Sequence, residues 1–172
     1  MTSYKNLGSL LEYPQSDFYN ILEKIETESF NSEIKKVFFE FSKFAKKRTL
    51  EDLQELYTRT FDINPVSSLY ASVHLFGEES FKRAELMAKL KEEYIKSNFD
   101  SGSELPDFIP VILKFVTHLK DDHKYNDLLS LCVIKPLNSI LEKFNNDNPY
   151  RALVSFIRQV VEKSLDKELI HG

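Results

Sequence analysis

Four glycines in 172 residues (Gly8, Gly77, Gly102 and Gly172) constrain this chain more than any other feature. Tight hairpin turns and phosphate-cradling loops both depend on glycine, which accepts positive φ and lets the backbone approach a ligand closely. The Gly-x-Gly and Gly-Lys-Ser patterns of nucleotide-binding loops are absent. No segment alternates apolar and polar residues with a period of two, whereas apolar residues recur at spacings of three and four. The expectation is an all-α bundle of about eight or nine helices without repeats, a single domain over residues 1–172.

The breaks between helices are also legible. A first helix over residues 4–13 ends at Pro14, because proline disfavours helix in the residue before it. A second spans residues 17–28, with Ser16 or Asp17 as its cap. Ser32 is placed to cap a third, on which Ile34, Val37, Phe38, Phe41 and Phe44 form an apolar stripe. The lysines opposite that stripe (Lys35, Lys36, Lys43, Lys46, Lys47) read as a solvated face. Thr49 with Asp52 resembles a capping box opening a fourth helix toward Phe61. Asp62-Ile63-Asn64-Pro65 breaks it, Ser67 or Ser68 restarts it, and Gly77 ends the short helix that follows as a left-handed cap. An amphipathic helix over 80–96 places Phe81, Leu86, Leu90 and Tyr94 on one side, and NFDSGSE (98–104) is the clearest flexible loop. In ELPDFIPVILKFVTHL (104–119), Pro106 and Pro110 sit where a first turn tolerates missing donors, and Asp107 is placed to cap that helix. Residues 122–144 read as one helix kinked or divided at Pro136. Asn148-Pro149 starts the last helix, which buries Tyr150, Leu153, Ile157, Val160, Val161 and Leu165.

Composition narrows the function classes. With 42% apolar and 13% aromatic residues the chain has material for a real core, which argues against disorder. A net charge of −4 disfavours a nucleic-acid partner, which requires surplus lysine and arginine. One cysteine, Cys132, no signal peptide and no apolar run near the ~20 residues of a membrane span lead to a soluble cytoplasmic protein without membrane insertion. In HLKDDH (118–123) only His118 and Asp122 share a helix face, which falls short of a metal ligand set. No His-Asp dipeptide supports a helical phosphohydrolase. Cys132 lies in the apolar run LLSLCVI and reads as a buried, inert thiol, and His74, between Val73 and Leu75, as a core or groove histidine. No catalytic set, no metal and no bound cofactor are expected.

Four blocks in order resemble the nitrate reductase assembly chaperones of the NarJ type, the nitrate reductase delta subunit family. They are LGSLLEYP (7–14), ELYTRTFD (55–62) with SLYASVHLFGEES (68–80), KRAELMAKLKEEY (82–94) and ELPDFIPVILKF (104–115), with the last ~50 residues matching only weakly. Ala84 stands where the family usually has glycine, and Lys114 where it tends to have glutamate. The resemblance implies a non-catalytic cytoplasmic chaperone. Its client is the apo catalytic subunit of nitrate reductase or a related molybdenum oxidoreductase, bound at the N-terminal segment. The client is held ready for molybdenum cofactor and iron–sulfur insertion, and the chaperone is absent from the finished enzyme. A sister chaperone reading a twin-arginine leader and a generic helical interaction module are the rival readings. The client site then falls on residues 57–83 with 104–115. An apolar floor is expected from Leu69, Tyr70, Leu75, Phe76 and Phe108, and an acidic rim from Asp62, Glu78, Glu79, Glu104 and Asp107. Tyr57, Phe61, His74, Arg83, Pro106 and Pro110, from the same blocks, complete the expected site.

Overall fold

The computed structural model of the chain describes residues 3–64, 67–77 and 79–171, with side chains as far as residue 166. Its helices are α1 Tyr4–Leu10, α2 Phe18–Glu26, α3 Ser32–Ala45, α4 Leu50–Tyr57, α5 Ala71–Phe76, α6 Ser80–Lys96, α7 Ile109–Phe115, α8 Asp122–Leu129, α9 Lys135–Lys143 and α10 Tyr150–His171. No strand occurs among the described residues. A π turn at Ser130–Ile134 joins α8 to α9, so these residues hold nine helical runs. Pro136 sits in the first turn of α9, where its missing N–H is tolerated, and the change of register expected near it falls at the π turn just before, without breaking the run.

Some helix starts are set by side chains that satisfy the first free N–H groups. At α4 the Thr49 hydroxyl accepts from the Asp52 N–H at 3.1 Å, and the Asp52 carboxylate accepts from the Thr49 N–H at 3.1 Å. Asn31, not Ser32, caps α3. Its extended backbone (φ −65°, ψ 162°) aims the side-chain oxygen at the Ile34 N–H, 2.9 Å away, and Ser32 becomes the first helical residue. Neither Ser67 nor Ser68 starts α5, which begins at Ala71. The buried Ser67 hydroxyl instead donates to the Thr60 carbonyl, tying the chain back to the preceding turn. Gly77 ends α5 at φ 58°, as expected, but with ψ −127° it lies outside the left-handed helical well.

The core lies between α10 and α3 and between α1 and α7. Phe156 of α10 packs edge-on to Phe30 at 5.2 Å and tilted against Phe38 at 4.6 Å, and Phe41 meets Tyr150 at 5.3 Å. Tyr150, Leu153, Ile157 and Val161 are buried as expected, joined by Val154 and Phe156, whereas Val160 and Leu165, also expected on the buried face, are only partly buried against the core. On α6 only Leu90 and Tyr94 are buried, whereas Phe81 is 77% exposed. Leu86 packs against the core one turn earlier, so of the apolar side expected on this helix only Phe81, in its first turn, is left uncovered. Gly8 permits the close crossing of α1 and α7, since a Cβ there would lie 2.6 Å from the Pro110 carbonyl oxygen. Among the described residues no helix is long and apolar enough to cross a membrane.

Candidate functional site

The ends of the two helix breaks, residues 69–70 and 104–108, meet in space. The Ala71 N–H donates to the Asp107 carbonyl at 2.9 Å and the Ile109 N–H donates to the Leu69 carbonyl at 2.8 Å. This places Tyr70 and Phe108 side by side as an isolated antiparallel bridge, with ring centroids 5.1 Å apart. Asp107 is 1% exposed and caps a helix other than the expected one: its Oδ2 accepts from the Ser72 N–H of α5 at 3.0 Å. The N-cap position of its own helix, α7, belongs to Phe108, which has no side-chain acceptor. The two breaks are therefore one structural unit, locked by a carboxylate that bridges them.

A second lock brings in the opening segment. The Tyr57 hydroxyl donates to the Leu11 carbonyl at 3.2 Å, and the Gln54 amide donates to the Pro14 carbonyl at 2.8 Å. These bonds hold the turn after α1 against α4. Beyond Tyr57 the chain widens into a π turn, Thr58–Asp62, closed by the Ile63 N–H on the Thr58 carbonyl at 3.1 Å. Such a turn inserts a residue into the helical register and re-aims the side chains that follow, here Phe61 and Asp62.

Between these segments lies a cleft of about 350 Å³, lined by Glu12, Tyr13, Gln15, Tyr57, Phe61, Asp62, Leu69, Tyr70, Glu104 and Phe108. Its rings are in mutual contact: Tyr13 meets Tyr57 edge-on at 5.7 Å, and Tyr57 tilts against Phe61 at 5.0 Å. Among the described lining residues three are carboxylates and none is cationic. Glu104 accepts from the Tyr70 hydroxyl at 2.8 Å, and Glu12 pairs with Lys114 at 2.6 Å. Burial, then the hydrogen bond to Glu104 and its charge, push the Tyr70 phenol well above its ordinary range. The Tyr57 phenol is driven up by burial first, then by Asp62 and other neighbours including Glu104 and Glu12. The carboxylates thus converge on the cleft and give it negative character. The geometry suits an apolar side chain or a cation flanked by apolar groups.

Of the expected site residues, Tyr57, Phe61, Asp62, Leu69, Tyr70, Glu104 and Phe108 share this cleft. Pro106 instead accepts from the Tyr94 hydroxyl through its carbonyl at 2.6 Å, fixing the 104–108 segment to α6. Pro110 packs over Gly8. Arg83 donates through Nε to the Ser72 hydroxyl at 3.2 Å, beside the Asp107 cap. His74 is half-buried and does not line the cleft, with Nε2 2.7 Å from the Ser68 carbonyl and Nδ1 3.1 Å from the Ser139 hydroxyl. A carbonyl only accepts, so Nε2 carries the proton, and burial holds the imidazole pKa below its ordinary value. Leu75 packs against the core and Phe76 is half-buried near the far end of α5, neither lining the cleft. Glu79 is exposed and pairs with Lys82 at 3.4 Å, and Glu78 lies outside the described residues.

Glu12, Tyr13 and Gln15 were not foreseen as site residues, although LGSLLEYP contains two of them. Elsewhere, burial pushes the Cys132 thiol up to about 12, with the Asp107 charge adding to it, which leaves no reactive thiolate at neutral pH. His118 lies against Phe99, ring centroids 5.0 Å apart. Among the described residues no cluster of His, Cys, Asp and Glu is arranged to hold a metal.

The architecture and cleft are joined by a direct comparison. A model of the nitrate reductase delta subunit family matches residues 27–146. The chain belongs to this family. The match takes in three of the four segments lining the cleft, and full-length relatives take in the fourth. A curated relative is the probable nitrate reductase molybdenum cofactor assembly chaperone NarJ of Bacillus subtilis (strain 168). It is 27% identical over 180 aligned positions, covering 99% of this chain and 94% of the relative. Another is the probable nitrate reductase molybdenum cofactor assembly chaperone NarW of Escherichia coli (strain K12). It is 26% identical over 171 positions, covering 99% of this chain and 72% of the relative. The nitrate reductase delta subunit family is one of assembly chaperones, not of enzymes, in line with the sequence-based expectation.

Proposed function

We propose that this chain is a cytoplasmic assembly chaperone for nitrate reductase or a related molybdenum oxidoreductase. It binds the apo catalytic subunit through that subunit's N-terminal segment and holds it competent for molybdenum cofactor and iron–sulfur insertion. One observation carries the reading: three of the four blocks by which the chain resembles its family line a single cleft, although they are far apart in sequence. A cleft of about 350 Å³ accepts a few anchor side chains rather than a folded domain, which matches an extended or helical tail. Exposed charge pairs contribute only ~0.2 to 1 kcal/mol each, whereas truncating a central aromatic anchor costs ~2 kcal/mol or more, so apolar contacts dominate affinity and carboxylates select charge.

Titration calorimetry tests this with a peptide copying the N-terminus of the molybdenum-enzyme catalytic subunit made by the same cell. Tyr70→Ala and Phe108→Ala weaken binding more than Glu104→Gln does, and added salt brings the charge variant toward wild type. Circular dichroism confirms that each variant is folded. Unchanged affinity in both folded aromatic variants removes the site from the cleft. In cells, deleting the gene leaves the client made but short of molybdenum. A client with full molybdenum content in the deletion strain ends the assembly role.

A further inference from the structure

One ion pair beside the cleft is built in a way that ordinary surface pairs are not. Lys114 on α7 reaches Glu12 across the α1–α7 crossing, Nζ to Oε1 2.6 Å, with the two side chains 26% and 32% exposed. The lysine stem is laid down by the crossing itself: a Cβ on Gly8 would come within 3.1 Å of Lys114 Cγ. The methylenes therefore run over Gly8, and the ammonium is delivered to the one cleft carboxylate that lies on the opening turn. Of the three carboxylates in the lining, Glu12 is the one with an ion pair among the described residues. Glu104 accepts from the Tyr70 hydroxyl and has no ion pair among the described residues, and Asp62 has neither a hydrogen bond nor an ion pair among them. The cleft thus presents its charge at the Asp62–Glu104 side and withholds it at the Glu12 side.

We infer that Lys114 is a specificity-determining residue, an internal cation seated on Glu12 that limits how much positive charge a bound peptide can carry at that end of the cleft. The inference rests on the cleft being the client site. A peptide cation that approaches Glu12 must compete with Lys114, whereas one at Asp62 or Glu104 meets no internal competitor. Apolar contacts are indifferent to the pair. Lys114 therefore acts on the choice among tails of different charge and not on anchoring.

The test is titration of the same catalytic-subunit peptide, and of a counterpart with its arginines replaced by citrulline and its lysines by norleucine, at low ionic strength. Lys114→Gln frees Glu12, and Lys114→Met does so while keeping an apolar stem over Gly8. Both variants tighten binding of the cationic peptide on the order of two- to fivefold, the range of one partly exposed charge pair, and leave the neutral counterpart unchanged. The gain vanishes in the Lys114→Gln/Glu12→Gln double variant and collapses with added salt. Thermal melts establish that each variant is folded. If wild type binds the cationic peptide but neither Lys114 variant tightens it, Lys114 is only a structural clasp and the inference falls while the client site stands. An equal gain for the neutral peptide, or one that survives in the double variant, overturns it as well. If wild type binds neither peptide, or a Tyr70→Ala variant binds both as wild type does, the client-site reading fails and the inference with it.

Discussion

Asp107 shows how one residue can hold two segments together. Its carbonyl accepts from Ala71 and its Oδ2 from Ser72, while Oδ1 has no partner among the described residues. Alanine at this position strands a buried N–H and should lower stability by about 1–3 kcal/mol. Asparagine keeps an acceptor of the same shape and is nearly as good a cap, so Asp107→Asn should lie close to wild type. Urea unfolding of the two variants decides the point: equal losses would show that the charge matters rather than the bond. His74 makes a second forecast at this scale. Burial first, and then the Lys143 charge, depress its folded pKa against the opposing bond to Ser68. Below about pH 6.5 the unfolded chain therefore binds more protons than the folded one, and stability falls as pH falls through that window. The loss stops growing once pH is below the folded value. His74→Gln, which cannot titrate, should flatten the slope of urea midpoint against pH between about 7.5 and 5.5 relative to wild type. A slope unchanged by the substitution would assign the pH dependence to other groups.

At the scale of elements, what was legible in the sequence is what is decided locally. Thr49 and Asp52 are three residues apart and satisfy each other wherever the helix packs, and α6 runs from Ser80 to Lys96 as its sequence led one to expect, although no side chain caps its start. The caps at Asn31 and Asp107 were misread because the choice depends on where a free N–H points, and for Asp107 that N–H belongs to another helix. The π turns at Thr58–Asp62 and Ser130–Ile134 leave no mark in apolar spacing, since packing rather than propensity widens a helix by one residue. The candidate cleft was half legible for the same reason. Its floor and rim residues lie in conspicuous breaks, but the approach of Glu12 and Tyr13 depends on bonds from Tyr57 and Gln54 to distant carbonyls. Gly8 tests the crossing that supports this arrangement. Alanine normally stabilises a helix interior relative to glycine by about 0.5–1 kcal/mol. Here the added Cβ would meet a backbone carbonyl at 2.6 Å, which cannot swing away. The clash should win, and Gly8→Ala should cost about 1–3 kcal/mol in a thermal melt, as overpacked cores do. A stabilised variant would mean that α1 and α7 can part without penalty.

For the whole molecule, the cleft is a point where the order of the chain is folded over itself. Residues 12–15, 57–62, 69–70 and 104–108 reach it from four separate helix ends, and in the unfolded chain they have no reason to be near one another. A peptide that binds all four must bind the native state and not the unfolded one, so binding and folding are linked by mass action. At a free peptide concentration about a hundredfold above Kd the native state gains about 2.7 kcal/mol. For a domain of this size each kcal/mol moves the midpoint by about 2–4 °C, so the melt should rise by roughly 5–10 °C with saturating client peptide. The shift should grow with the logarithm of peptide concentration. A single tail lying on one helix would also raise the midpoint, so the decisive comparison uses variants that loosen the joints between segments without touching the cleft surface. Gln54→Ala removes the bond to the Pro14 carbonyl behind the opening turn. It should reduce the peptide-induced shift beyond its own effect on the unliganded melt, because part of the binding energy must then re-form the joint. If the peptide-induced shift in Gln54→Ala equals that in wild type at the same free peptide concentration, with Kd unchanged, the opening turn takes no part in holding the client. The contact surface then reduces to the paired breaks at Tyr70 and Phe108.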